Sequence, residues 1–118
     1  DLNKSQVYAV SRWINKNADK VVIPENSINK PPSAELKPDQ VDPFDYDLIS
    51  PLVDRIISEP HNISSLENDG YSSALVSELV QKVRISEYKR RQAAPGIRVS
   101  QKAFGVGRRY PIVNKYNA

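Results

Sequence analysis

The spacing of apolar residues is helical in every long segment of this chain, and this feature limits the fold more than any other. Near the N-terminus, Val7, Val10 and Ile14 recur at the three- and four-residue intervals that place side chains on one face of an α-helix. Asn3 precedes this stretch, and Gln6 lies three residues after Asn3. This spacing is the arrangement of a capping box at a helix start. The pattern predicts a helix that ends between residues 15 and 17.

Three further helical segments are predicted downstream. Apolar residues at positions 48–57 form one stripe, in which Pro51 lies either in the first turn or inside a helix that begins near Asp45. After a predicted loop over 60–70 comes the clearest amphipathic helix, and Ser86 could cap a short helix beyond it. The apolar face of that amphipathic helix is formed by Leu75, Val76, Leu79, Val80 and Val83. We therefore predict a mostly α fold with three to four helices and almost no strand.

A proline-rich stretch separates the first predicted helix from the second. Residues 29–43 contain four prolines, and proline lacks a backbone donor and pushes the preceding residue toward an extended conformation. Long irregular loops in compact proteins are often functional. We expect 29–43 to be a mobile Pro-rich loop. The short β-branched run at 21–23 is predicted to be at best a brief strand or an extended segment.

Basic residues are concentrated in the C-terminal third. From Lys82 onward there are ten Lys and Arg against the single acid Glu87, whereas the preceding part has seven bases and thirteen acids. This asymmetry indicates an anionic partner, which could be a nucleotide, a nucleic acid or an acidic face of the same protein. We interpret residues 93–118 as a basic C-terminal tail.

Composition excludes several kinds of site. The chain has no Cys and one His, so a disulfide framework and a Cys-based zinc site are ruled out, and a His-based site is hard to assemble. We assign no catalytic residue and no metal ligand. No apolar run approaches the ~20 residues that cross a bilayer, and no secretory signal is visible. We expect a cytoplasmic protein with no membrane partner, and the absence of Met suggests a piece of a longer chain.

Three segments contain residues suited to binding a nucleotide. Lys4 lies at a predicted helix start, where the helix dipole and an ammonium group both favour phosphate. Ser33 offers a hydroxyl from the Pro-rich loop, and Tyr88 and Lys89 belong to a basic helix end. Each has a plainer interpretation taken alone: an exposed lysine, a linker and an ordinary basic helix terminus.

In their order along the chain these segments indicate a family. The stretches DLNKSQVYAVSRWIN, KPPSAELKPDQ and SEYKRRQAAPG resemble the C-terminal part of the synthetase domain of NAD⁺ synthetases, which are N-type ATP pyrophosphatases. The tail VSQKAFGVGRRYPIVNKY is similar to that of the long, glutamine-dependent bacterial form. The resemblance covers residues 1–118 and implies that the parent domain is α/β and Rossmann-like, of the adenine nucleotide alpha hydrolase type.

The resemblance implies an ATP-dependent ligase that amidates deamido-NAD⁺ to NAD⁺ through an acyl-adenylate. It implies that ATP and Mg²⁺ are bound mainly outside this chain and that a glutaminase domain supplies the ammonia. By motif position, Lys4 and Ser33 are expected to contact ATP, and Tyr88 and Lys89 to contact deamido-NAD⁺. The family's pyrophosphate-binding loop is absent from these residues, so the chain alone is expected to be inactive. The acidic end of the Pro-rich loop is shorter than in the family, so Asp42 receives no role.

Two other classes of function remain open at this stage. The basic C-terminal third could bind nucleic acid, although it has few aromatic residues suited to base stacking. Alternatively, the chain could be an oligomerisation module. The predicted helices near 7–14 and 75–83 each have one apolar face and few neighbouring elements to cover it, so we expect a homo-oligomer or contact with further sequence.

Overall fold

The computed structural model describes residues 1–58, 63–102, 107 and 109–113, and within these ranges it contains six α-helices and no β-strand. The mostly α class predicted from the sequence is confirmed, with two short helices beyond the three to four expected. The helices are α1 (Lys4–Asn17), α2 (Glu25–Asn29), α3 (Tyr46–Ser58), α4 (Ile63–Asn68), α5 (Ser73–Ile85) and α6 (Glu87–Arg90). Within the described residues, every helix is too short or too polar to span a bilayer.

Helix α1 begins as the sequence predicts. The Asn3 side chain accepts a hydrogen bond from the Gln6 N–H (2.8 Å), and the Gln6 side chain accepts one from the Asn3 N–H (2.9 Å), which completes the capping box. Beyond the helix, the Asn15 amide binds the backbone of Val22 and Ile23. Its Oδ1 accepts from both N–H groups, and its Nδ2 donates to the Ile23 carbonyl. The segment 21–23 is therefore held by a side chain and forms no strand.

Helix α3 settles the position of the proline. Pro51 lies inside the helix, which begins at Tyr46, so the second of the two predicted arrangements is the one found. The start is stabilised by the Asp45 side chain, which accepts a hydrogen bond from the Asp47 N–H (3.0 Å). The Ile49 N–H donates to the Asp45 carbonyl (2.9 Å). Because proline has no N–H, the Asp47 carbonyl lacks its usual partner one turn later.

The chain divides into two compact units, residues 2–50 and Asp1 with residues 51–118. In the first unit Ile28 and Ile49 are buried, whereas α1 buries no residue and leaves Trp13 64% exposed. The prediction of an uncovered apolar face is therefore confirmed for α1. The core of the second unit is formed by side chains of α3, α4 and α5, namely Leu52, Ile56, Ile57, Leu66, Val76 and Leu79.

The same prediction is wrong for α5, whose apolar face is covered within the second unit. Val76 is fully buried and Leu79 is nearly so. The covering element is α4, which packs against α5 and buries Leu66. The predicted loop over 60–70 is wrong for Ile63–Asn68, and this short helix is the partner that α5 was expected to lack.

Candidate functional site

A cavity of about 290 Å³ lies in the first unit, where the first turns of α1 face the Pro-rich loop. We call it the lysine cavity. Lys4 and Ser33, the two residues that the resemblance assigns to ATP, both line it although they are 29 positions apart in the sequence. Other lining residues are Tyr8, Ser11, Pro32 and Glu35. The fold thus brings the two predicted ATP residues to one site.

The ammonium group of Lys4 is held by aromatic rings. Its Nζ lies 5.7 Å from the centroid of the Tyr8 ring and 5.8 Å from that of the Tyr46 ring, within the range of cation–π attraction. Lys4 is exposed, and within the described part of the chain no carboxylate forms an ion pair with it. Its charge and its N–H donors therefore remain able to bind an anion.

Ser33 is half-buried in the Pro-rich loop. Its Oγ accepts a hydrogen bond from the Glu35 N–H (3.0 Å), which leaves its own proton able to donate to a ligand. Glu35 has a φ of 53°, in the left-handed region that such a side chain rarely adopts. The hydrogen bond and charge of Lys30 hold the pKa of the Glu35 carboxyl below its usual value. These local contacts lie beside the Ser33 hydroxyl and leave it facing the lysine cavity.

Tyr88 and Lys89 lie on α6, in the second unit, and both are exposed. The structure therefore leaves both of these predicted deamido-NAD⁺ residues exposed to solvent. The Ser86 backbone precedes α6, but the Ser86 side chain makes no capping bond, contrary to the sequence prediction. Glu87, the first residue of the helix, is buried, with only 1% of its surface exposed.

A cluster around Glu87 was not predicted from the sequence. Its carboxylate pairs with Arg90 Nη2 at 2.6 Å and with Arg91 Nε at 3.3 Å. Desolvation raises the pKa of Glu87, but the Arg91 hydrogen bond and the Arg90 charge outweigh it, so the pKa lies below its ordinary value. The only signal in the sequence was a single acid within a strongly basic run.

The same arginines border a second cavity, of about 440 Å³, which we call the arginine cavity; it is lined by Glu87, Arg90, Arg91, Arg109 and residues 93–96. The Arg91 guanidinium donates to the Tyr110 carbonyl (3.1 Å), and that of Arg90 lies 5.9 Å from the Tyr110 ring. These contacts attach the basic tail to α6.

The tail has a second attachment point at the other end of the chain. The Asp1 carboxylate accepts hydrogen bonds from the Val99 N–H, the Ser100 N–H and the Ser100 hydroxyl, each at 2.8 Å. Within the described residues, no group of three or more His, Asp or Glu side chains is arranged to hold a metal ion.

Comparison with known proteins identifies the family. The NAD synthase family model matches residues 1–93, so the chain belongs to the NAD synthase family, and the resemblance drawn from its motifs is confirmed. It is similar to the glutamine-dependent NAD⁺ synthetase of Synechocystis sp., with 39% identity over 99% of this chain and 21% of the relative. The corresponding synthetase of Xylella fastidiosa is 40% identical over 98% of this chain and 22% of its own.

A solved structure is similar over the whole chain. The glutamine-dependent NAD⁺ synthetase from Acinetobacter baumannii, in complex with ADP, matches 100% of this chain and 20% of its own with a TM-score of 0.58 and 30% identity. The chain thus spans about a fifth of the length of the relatives it matches.

Proposed function

We propose that residues 1–118 form the C-terminal part of the ATP-pyrophosphatase domain of a glutamine-dependent NAD⁺ synthetase. In the proposed reaction, the carboxylate of deamido-NAD⁺ attacks the α-phosphorus of ATP and releases pyrophosphate. Ammonia from glutamine then attacks the acyl-adenylate and displaces AMP. The observation that carries the proposal is the meeting of Lys4 and Ser33 at the lysine cavity in a chain of this family.

Lys4 and Ser33 would act on the departing pyrophosphate. Breaking the bond between the α- and β-phosphates develops negative charge on pyrophosphate, and preorganised N–H and O–H donors stabilise that charge. A cavity of 290 Å³ is at the lower limit of ligand pockets, about 300–1,000 Å³, so it suits a phosphate chain better than a whole nucleotide. We place the contacts to the adenine ring, and the ligands of the Mg²⁺ that would accompany ATP, outside this chain.

Tyr88 and Lys89 would bind the second substrate. An exposed lysine offers a compact charge for the phosphates or the carboxylate of deamido-NAD⁺, and the neighbouring tyrosine offers a ring face and a hydroxyl. The exposed apolar face of α1, with Trp13 and Val10, supports contact with the remainder of the protein, including the glutaminase domain, or with a second copy.

The ATP assignment is tested by pyrophosphate release from the full-length protein that contains this chain. Lys4→Ala should lower the rate ten- to a hundred-fold, because a charge-assisted contact contributes about 1.5–3 kcal/mol. Lys16→Ala is the matched control, since Lys16 is an exposed lysine in the last turn of the same helix. Ser33→Ala should also lower the rate, and Ser33→Thr, which keeps the hydroxyl, should restore it.

The deamido-NAD⁺ assignment needs a separate measurement. Lys89→Ala should raise the KM for deamido-NAD⁺ about ten-fold and leave the KM for ATP unchanged. Lys82→Ala, an exposed lysine paired with Glu78 on α5, is the control. Wild-type kinetics for both substrates in the Lys4, Ser33 and Lys89 variants would show that the roles assigned to these residues are wrong. The 118-residue chain alone should make no NAD⁺.

A further inference from the structure

Tyr46 holds one side of the Lys4 ammonium group although it lies 42 positions away in the sequence. The other ring, from Tyr8, stands one turn further along α1, where a side chain four residues ahead normally lies. The contact with Tyr46 depends instead on how α3 begins beside α1. The Ser5 hydroxyl helps to fix this arrangement, since its Oγ lies 3.3 Å from the Tyr46 carbonyl oxygen and 3.2 Å from Ser50 Oγ.

The Tyr46 ring is itself fixed by a carboxylate. Its hydroxyl donates a hydrogen bond to Asp42 Oδ2 at 2.7 Å, and the Phe44 ring meets it edge-on at 6.4 Å between centroids. Burial, with the Asp42 hydrogen bond and charge, raises the pKa of Tyr46 to about 12, so the phenol stays protonated and keeps donating at neutral pH. A phenol that donates to a carboxylate has a more electron-rich ring, and this strengthens its attraction for an ammonium group.

Asp42 also connects this arrangement to the Pro-rich loop. Its backbone N–H donates to the Pro32 carbonyl at 2.8 Å and so closes the loop at the residue before Ser33. The Asp42 side chain therefore helps to position the Tyr46 ring beside Lys4. The Asp42 backbone helps to position the loop segment that contains Ser33. Asp42 is thus connected to Lys4 through Tyr46 and to Ser33 through Pro32.

We propose that Asp42 and Tyr46 are positioning residues that hold Lys4 and the Ser33 segment in one geometry for a bound polyphosphate. The proposal rests on the proposed function of the lysine cavity and gives a role to the acidic end of the loop, which the sequence left without one. Tyr46 acts through Lys4 and touches no reacting atom.

A double-mutant cycle on pyrophosphate release by the full-length protein tests this. Tyr46→Leu should lower the rate roughly three- to ten-fold in the wild-type background, the range expected for loss of a cation–π contact. In the Lys4→Ala background the same substitution should have almost no further effect, because the group that Tyr46 positions is gone. A merely structural tyrosine would lower the rate by the same factor in both backgrounds, and that result would overturn the proposal.

Two further variants keep the test decisive. If Tyr46→Leu does not fold, Asp42→Asn replaces it in the cycle, since asparagine keeps the backbone N–H and weakens only the bond to the phenol; the expected loss is two- to five-fold, again absent beside Lys4→Ala. Tyr71→Leu, at a half-buried tyrosine of the second unit, is the control and should give factors independent of Lys4.

The double-mutant cycle also distinguishes a failure of the positioning role from a failure of the proposed ATP site. If Lys4→Ala alone leaves pyrophosphate release unchanged, the assignment of the lysine cavity to ATP fails, and the positioning role fails with it. If Lys4→Ala lowers the rate but the Tyr46 and Asp42 effects remain in full beside it, the ATP site stands and only the positioning role is wrong.

Discussion

The lysine cavity and the arginine cavity both contain clustered cations, but the cations are held in opposite ways. Lys4 lies beside two tyrosine rings, which attract an ammonium group without neutralising it. Arg90 and Arg91 are bound to Glu87, a buried carboxylate that neutralises one of their two positive charges and takes up guanidinium donors. The first arrangement leaves a charge available to a ligand, whereas the second stabilises the attachment of the tail. Clustered basic residues alone do not define a binding site.

This comparison changes how the C-terminal charge is interpreted. The excess of bases after Lys82 predicted an anionic partner, with a nucleotide, a nucleic acid or the same protein as candidates. Glu87 is itself an anionic partner for part of this basic segment, because it pairs with two arginines one helical turn away. Lys89, on the exposed side of the same helix, is the basic residue of α6 left facing solvent.

The largest effect is expected from Glu87→Gln. Removing one partner of a buried ion pair leaves the other charge uncompensated, and such changes cost about 3–5 kcal/mol; because Arg91 is half exposed, we expect about 3 kcal/mol. The free energy of unfolding, measured with denaturant, should fall by this amount. Glu78→Gln, which breaks the exposed pair with Lys82, should cost less than about 0.5 kcal/mol. Equal losses for the two variants would contradict the comparison.

The same carboxylate should make stability depend on pH. The folded-state pKa of Glu87 lies below its ordinary value of 4.5, so its contribution is present above that pH and is lost as the pH falls through the folded-state pKa. The difference in melting temperature between the wild type and Glu87→Gln should therefore shrink as the pH falls from about 5 toward the folded-state pKa. A constant difference would mean that Glu87 is not held as a charged group.

A smaller effect concerns nucleic acid. Because Arg90 and Arg91 both pair with Glu87, Arg91→Ala should change the slope of the salt dependence of oligonucleotide binding by much less than one. Lys89→Ala is the matched comparison, because an exposed lysine that contacts a phosphate would lower the slope by about one. Binding that is steep in salt, with an Arg91 contribution near one, would favour the nucleic-acid interpretation over the ligase.

The smallest effect is expected in the Pro-rich loop. Residues 29–43 should exchange their amide hydrogens faster than α5, because they make few backbone hydrogen bonds; the Asp42–Pro32 and Gln40–Lys37 bonds are two of them. In the full-length protein, ATP should slow exchange at Ser33 and its neighbours. Exchange as slow as in α5 without nucleotide would contradict a mobile loop.

The features that could be predicted from the sequence are those that depend on interactions between residues close together in the chain. The capping box of α1 needs only Asn3 and Gln6, three residues apart, and it was found as predicted. Helix α4 was missed because six residues give too short a pattern for periodicity, and its stability comes from packing against α5. The packing of α5 could not be anticipated without it.

The site shows the same division. Lys4 and Ser33 were predicted as ATP contacts from their family motifs, and no spacing in the sequence indicated that they would line one cavity. Tyr46 and Asp42 were missed because the contact of Tyr46 with Lys4 exists only once α3 lies against α1. The four-residue interval between Asp42 and Tyr46 was visible, but intervals of this kind are common in any helix start.

The Asn15 amide has a consequence for solubility. Val21 and Val22 are more than half exposed, and an extended β-branched segment with free N–H and C=O groups is a template on which another chain can pair edge to edge. Asn15 occupies the N–H groups of Val22 and Ile23 and the Ile23 carbonyl, as a neighbouring strand would. One polar side chain thus occupies backbone groups through which this exposed segment could pair with another chain, and we expect its loss to appear first as aggregation at high protein concentration.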